Sequence, residues 1–185
     1  MRKCWCSTRF AYLCSMEQTF SLPSHLTKRE RYALFLSEYR LQLEGETDII
    51  AALANTSAAL REAFGFFWVG FYLVKDAEWL SLGPFQGSVA CARIRRSRGV
   101  CGTAWAEART QVVPDVDAFP GHIACSSLSR SEVVVPMFTG EGAERRVVGV
   151  LDIDSDHLNA FDDDDRKGLE DIVEALTTSP TLHFD

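Results

Sequence analysis

The chain has 185 residues, of which 46% are hydrophobic and 24% are charged, and its formal net charge at pH 7 is −7. This length suits one domain of helices and strands with short additions at its ends. No apolar run approaches the ~20 residues that a membrane-spanning helix needs, so we expect that this chain does not span a membrane. Strongly basic sequence is confined to residues 93–98. A broad positively charged face for binding nucleic acid is therefore excluded.

The first 25 residues form a polar extension without apolar periodicity, which we expect to be disordered or to serve targeting. A single domain is predicted over residues 26–180. The start lacks the apolar core of a secretory signal, so a cytoplasmic protein is the default expectation. Its basic composition, with no acid before Glu17, is also compatible with an organelle transit peptide at residues 1–16.

Two amphipathic helices are predicted first. Thr27 and Glu30 form a capping box, and Gly45 ends the helix behind them. Its apolar side chains recur at helical spacing: Tyr32, Leu36, Tyr39 and Leu43. A second helix is predicted over residues 49–64, with Gly65 as its stop.

The middle of the chain changes to a pattern of strands. We predict strands at residues 67–74, 79–85, 89–94, 132–138 and 147–154, and a short helix at 99–108. A last helix follows Phe161, with four aspartates in its first turn, and we expect its acidic side to be an outer face. The strands lack regular βαβ alternation. This favours an α+β fold in which a central antiparallel sheet is flanked by N- and C-terminal helices packed on one face.

Two aromatic rings share one face of the first predicted strand. Trp68, Gly70 and Tyr72 alternate with bulky apolar residues that face the other way. The glycine between the rings leaves room for a ligand. The alternative interpretation is that both faces of this strand are simply buried.

Three acidic residues lie on the two late strands. Asp152 and Asp154 share a face, and Glu132 opens the neighbouring strand. Carboxylates that emerge from an apolar strand lose solvation unless a cationic or protic group meets them, which is typical of a binding site. The alternative is that the aspartates cap the following turn.

Three of the six cysteines lie in the middle of the domain and could carry chemistry. Cys91 falls in a predicted strand, and Cys101 falls at the start of the short helix, where unpaired amides favour a thiolate. Cys125 lies in a polar loop with His122 nearby. Any one of them, taken alone, is more often an inert buried side chain. Their spacing lacks the paired knuckles of a structural zinc site, and no cofactor-binding motif is present, so we expect neither metal nor cofactor.

The middle of the chain resembles the free methionine-(R)-sulfoxide reductases, a catalytic branch of the GAF fold. The similarity covers about residues 28–178 and rests on the strings FWVGFYLV, LGPFQG, VACARI, RGVCGTAW, QVVPDVDAFPGHIACSS, SEVVVP and GVLDIDS. Two features depart from the family pattern. Residues 1–25 lie outside it, and the loop at residues 139–146 is longer than usual.

The resemblance implies a role for each candidate residue. Cys125 would be the attacking thiol and Cys91 the resolving thiol, with Cys101 accessory or an alternative resolver. The substrate pocket would be lined by Trp68, Tyr72, Glu132, Asp152 and Asp154. The implied reaction reduces free methionine (R)-sulfoxide through a sulfenic acid and an intramolecular disulfide. A reductant of the thioredoxin type would reopen that disulfide.

Other interpretations stay open at this point. A non-catalytic GAF-type sensor of a small ligand would share the fold, because fold does not determine function. A monomer and a homodimer are both compatible with the sequence.

Overall fold

The computed structural model describes residues 19–121 and 127–184. The first 18 residues of the predicted extension, which include the possible transit peptide at residues 1–16 and three cysteines, lie outside the described residues, as do His122 and Cys125. The helices are α1 (Lys28–Leu43), α2 (Ile49–Phe64), α3 (Gly99–Glu107) and α4 (Asp163–Thr177). The strands are β1 (Trp68–Val74), β2 (Trp79–Gln86), β3 (Arg93–Arg95), β4 (Gln111–Val113), β5 (Ser131–Thr139) and β6 (Arg146–Ser155).

The six strands form one antiparallel sheet in the order β3-β2-β1-β6-β5-β4. The predicted antiparallel sheet with helices at both ends of the chain is therefore confirmed. Strand β6 lies near the centre and pairs with β1 on one side and β5 on the other. Strand β4 was not predicted, because three residues are too few to show an alternating pattern.

The helices cover both faces of the sheet, so the expectation of one helical face is wrong for α3. The long helices α1, α2 and α4 pack on one face around a core that includes Phe35, Leu53 and Leu169. The short helix α3 packs on the other face, where Val100 and Trp105 belong to a second core that also includes side chains of β1 and β6. The chain between β3 and β4, which lie at opposite edges, has to cross the sheet. The long helices already cover one face, so α3 crosses the other.

Local capping chemistry begins and ends the helices where the sequence predicts. At the start of α1, the Thr27 amide donates to Oε2 of Glu30 at 2.8 Å, and the Glu30 amide donates to Oγ1 of Thr27 at 3.3 Å. Asp48 caps α2 by accepting from two amides of its first turn. Gly65 ends α2 with φ = 73°, in the left-handed region that favours glycine.

The acidic side of α4 is not wholly an outer face, because Asp165 is buried. The Tyr32 hydroxyl donates to its Oδ1 at 3.0 Å, and the Lys28 ammonium donates to its Oδ2 at 2.5 Å. Gly168 lies against the Tyr32 ring, so close that a Cβ there would overlap it. These contacts join α1 to α4. The sequence could not identify Asp165 as the buried residue, because a run of four aspartates does not show which side chain turns inward.

Packing extends beyond residues 26–180 at both ends of the described chain. Phe20 is buried against Phe35, with ring centroids 5.0 Å apart. The Thr181 hydroxyl donates to the Glu46 carbonyl, and Leu182 is buried. Within the described ranges, no helix is both long and apolar enough to cross a membrane.

Candidate active site

The aromatic and acidic candidates lie side by side on the face of the sheet that α3 covers. Residues directly opposite each other in neighbouring strands point to the same face. Asp154 of β6 lies opposite Trp68 of β1 and Glu132 of β5. Asp152 lies opposite Gly70 in the next row with the same orientation. The predicted shared face thus exists, and β6 places its two aspartates between the aromatic strand and the strand of Glu132.

A thiol and two carboxylates form a buried cluster beneath α3. One Sγ or carboxylate oxygen from each of Cys101, Glu132 and Asp152 lies within 4.8 Å of the other two. These residues are only 3%, 7% and 6% exposed. The thiol of Cys101 donates to Oε1 of Glu132, with Sγ and the oxygen 3.9 Å apart. Burial of Asp152 excludes the interpretation that it merely caps a turn.

The carboxylates have no compensating positive charge within the described chain. Burial and the neighbouring Asp152 and Asp154 raise the pKa of Glu132 well above its ordinary value. Burial and Asp154 do the same to the pKa of Asp152, and burial raises the pKa of Asp154 to about 6. None of the ion pairs between described residues involves these three acids. Without a bound cation, the protonated forms of these carboxyl groups are therefore favoured more than they are in exposed residues.

Cys101 is not the activated thiolate that its helix position suggested. Burial, followed by the nearby Asp152 and Glu132, raises the pKa of its thiol well above the ordinary value. The partial positive charge of a helix start is outweighed here because the side chain is desolvated and faces carboxyl groups. Cys101 is a protonated thiol that donates a hydrogen bond.

The space expected between the two aromatic rings is filled by one of them. The ring centroids of Trp68 and Tyr72 are 6.3 Å apart, with an interplanar angle of 26°. A Cβ on Gly70 would lie only 2.6 Å from Cη2 of Trp68 and would also overlap Phe85. A Cβ on Gly87, whose φ is 142°, would overlap Cδ1 of the same indole. The glycines therefore accommodate the Trp68 side chain in this conformation, not a ligand.

Two hydrogen bonds fix these rings to the segment before β3. The indole Nε1 of Trp68 donates to the Ser88 carbonyl at 2.9 Å. The Tyr72 hydroxyl donates to the Cys91 carbonyl at 3.0 Å. Sequence reasoning did not identify Ser88 as a partner, because a carbonyl oxygen carries no residue-specific signal.

Cys91 does not lie in a strand, because the strand predicted at residues 89–94 is shorter than expected. Pairing with β2 starts at Arg93, opposite Ser81. Val89 is 88% exposed, and Cys91 is half-buried in the connection before the strand. The apolar residues of this connection resemble a strand in sequence, but Val89 and Ala92 are exposed, and Ala90 and Cys91 are only half-buried. Cys125, the partner that the resemblance implies for Cys91, lies outside the described residues.

Comparison with known proteins agrees with this architecture. The GAF domain family model matches residues 48–179. A free methionine-R-sulfoxide reductase from Escherichia coli (strain K12) is 45% identical over 152 residues, which cover 82% of this chain and 89% of that protein. GAF domain-containing protein A from Dictyostelium discoideum is 54% identical over 150 residues, covering 81% of this chain and 92% of that protein.

Among solved structures, the X-ray structure of free methionine-R-sulfoxide reductase from Neisseria meningitidis in complex with its substrate is similar in sequence and in fold. It is 50% identical with a TM-score of 0.80, and the match covers 88% of this chain and 95% of that chain. The fold, the six-stranded sheet and these similarities lead to one assignment. The chain belongs to the GAF-domain family and, within it, to the free methionine-R-sulfoxide reductases.

Proposed function

We propose that this protein reduces free methionine R-sulfoxide to methionine. The observation that carries the proposal is the buried acidic cluster, which lacks a cation within the described chain and lies beside two aromatic rings. Relatives that share 45% and 50% of their residues with this chain are named as reductases of this class. Preference for the R epimer is inferred from those relatives.

The acidic cluster supplies a reason for a free amino acid as substrate. Burial raises the pKa of Asp152 and of Asp154, and the neighbouring Asp154 raises the pKa of Asp152 further. An α-ammonium group would provide the missing positive charge and allow one carboxyl group to ionise while another stays protonated. A methionine inside a polypeptide has no α-ammonium and would leave the cluster uncompensated. Trp68, directly opposite Asp154, would offer an apolar ring to the S-methyl group.

The proposed reaction uses Cys125 as nucleophile. Its thiolate attacks the sulfoxide sulfur, and a protonated carboxyl group of the cluster gives its proton to the departing oxygen. The S–O bond of the sulfoxide then breaks, and the protonated oxygen becomes bonded to the Cys125 sulfur as the transient bond between the two sulfur atoms breaks. Cys125 is left as a sulfenic acid, and methionine, reduced by two electrons, is released. A second thiol then condenses with the sulfenic acid, forming a disulfide and water. An external dithiol of the thioredoxin type returns the disulfide to two thiols.

Cys91 is the better candidate for the resolving thiol. It is half-buried, whereas Cys101 is buried, donates to Glu132 and has a raised thiol pKa. A thiol in that state is a poor nucleophile. Cys101 is then an accessory residue that contacts the acidic cluster.

The direct test is an assay of the full chain with free L-methionine R- and S-sulfoxide and a dithiol reductant, following methionine release. We expect turnover of the R epimer alone. N-acetyl-methionine sulfoxide is the matched control substrate, because it lacks the ammonium and keeps the sulfoxide. Tight binding of the free sulfoxide without methionine release would contradict the proposal and support a ligand sensor. Equal turnover of the acetylated compound would contradict the role of the acidic cluster.

A further inference from the structure

The thiol and carboxyl groups beneath α3 have the spacing of a metal-ligand set. Sγ of Cys101 and Oε1 of Glu132 are 3.9 Å apart, and Asp152 brings an oxygen within 4.8 Å of both. A tetrahedral Zn²⁺ with bonds of about 2.3 Å to sulfur and about 2.1 Å to oxygen separates those two ligand atoms by about 3.6 Å. Small side-chain adjustments would thus bring all three groups onto one ion.

An unpartnered oxygen supports a ligand at this place independently of the spacing. Oδ1 of Asp152 is buried and accepts no hydrogen bond within the described chain. Asp152 itself is 94% buried, since its exposed fraction is 6%. Buried carboxyl oxygens normally have a partner, so this atom lacks something that a bound cation would supply.

The combination of donors selects the kind of cation. A thiolate favours Zn²⁺ and similar thiophilic ions, whereas Mg²⁺ and Ca²⁺ prefer sites made of oxygen alone. Three ligands would leave the fourth position of a tetrahedral ion to water. We infer that Cys101, Glu132 and Asp152 bind a thiophilic divalent cation of the Zn²⁺ class, and that the bound cation excludes the substrate.

The cation would exclude the substrate because both would use the same carboxyl groups. This second half of the inference rests on the proposed function. When the ion binds, a metal–sulfur bond and two metal–oxygen bonds form, and the protons of Cys101 and of any protonated carboxyl ligand pass to the buffer, with no change of oxidation state. The ion then occupies the oxygens of Glu132 and Asp152 that would face the substrate ammonium. Zinc would therefore compete with methionine sulfoxide, and chelation would restore binding.

The cation site is tested by metal binding alone, without turnover. The reduced full chain, with Cys4, Cys6 and Cys14 changed to serine to remove other thiols, is titrated with Zn²⁺ against a chromophoric chelator. We expect Cys101→Ser to weaken Zn²⁺ binding by at least about tenfold. Cys91→Ser is the matched control and should bind within about twofold of the parent.

Co²⁺ serves as a spectroscopic probe of the same ligands. The parent should show a thiolate-to-cobalt absorption band that Cys101→Ser lacks and Cys91→Ser retains. Asp152→Asn keeps the thiol and the side-chain shape, so weaker binding in that variant would support the site even if Cys101→Ser failed to fold. Zn²⁺ binding that survives both Cys101→Ser and Asp152→Asn, or that is lost in Cys91→Ser, would overturn the assignment.

Competition is measured separately by calorimetric binding of methionine sulfoxide to Cys125→Ser with and without Zn²⁺. A substrate affinity that falls at least about tenfold under saturating Zn²⁺, and is unchanged by Mg²⁺, is expected. Unchanged substrate affinity with Zn²⁺ bound would overturn the exclusion. Failure of the proposed function would show itself differently, as absence of methionine formation by the zinc-free parent protein.

Discussion

Replacing Asp154 by asparagine should make the protein more stable and less active at once. Burial raises the pKa of Asp154 to about 6 from an ordinary value of 3.8, so the folded chain holds this proton more tightly than the unfolded chain. The stabilising effect of that proton is complete below the ordinary pKa and is lost as pH rises through about 6. This difference between the two pKa values lowers the free energy of unfolding by up to ~3 kcal/mol at neutral pH.

Asp154→Asn keeps the shape of the side chain and cannot ionise, so it should escape that penalty. Chemical denaturation at pH 7.5 should show a gain of up to ~3 kcal/mol in the free energy of unfolding, and the gain should vanish near pH 3.5. Asp156→Asn is the matched control, because that aspartate is half-exposed just beyond β6 and should change stability by less than ~0.5 kcal/mol.

The same substitution should lower kcat/KM by about 10- to 150-fold, because a charge-assisted hydrogen bond contributes ~1.5–3 kcal/mol. Steady-state kinetics with free methionine sulfoxide measures this loss. A variant that is less stable than the parent at pH 7.5 would refute the electrostatic reasoning. Kinetics equal to those of the parent would remove Asp154 from the substrate site.

Three further predictions concern the thiols and the first residues. Cys125→Ser should abolish methionine release while circular dichroism stays unchanged, because a hydroxyl is a far poorer nucleophile than a thiolate; release near the parent rate would remove Cys125 from its role. A chain starting at Met16 should keep kcat/KM within about twofold, a change of ~0.4 kcal/mol; a tenfold loss would show that the first residues contact the site. Cys101→Ser, given one equivalent of substrate without reductant, should yield a 91–125 disulfide in peptide mapping. If Cys91→Ser instead turned over at full rate through a 101–125 disulfide, Cys101 would be the resolver.

Features determined by neighbouring residues could be predicted from the sequence. The start of α1 follows from the side chains of Thr27 and Glu30, and the end of α2 follows from Gly65. The shared face of Asp152 and Asp154 follows from the two-residue period of a strand. These signals need no knowledge of the rest of the fold.

Features that depend on distant contacts could not be predicted in this way. The thiol pKa of Cys101 depends on carboxyl groups from β5 and β6 and on complete burial, which outweigh its helical position. Gly70 looked like an opening because the direction in which the Trp68 ring leans is a tertiary property. The inward turn of Asp165 likewise depends on Lys28 and Tyr32, more than 130 residues earlier.

The two-sided sheet places the side chains that pack the main core and those that face the candidate site on opposite faces of one strand. Along β6, Leu151 and Ile153 face the core formed by the long helices, whereas Asp152 and Asp154 face α3 and the candidate site. A substitution at Leu151 or Ile153 alters the packing that keeps the chain folded. A substitution at Asp152 or Asp154 alters the charge offered to a bound molecule, and it also alters stability because these carboxyl groups are buried. A change of substrate through this strand therefore brings a change of stability with it, which substitutions in the core of the long helices can offset.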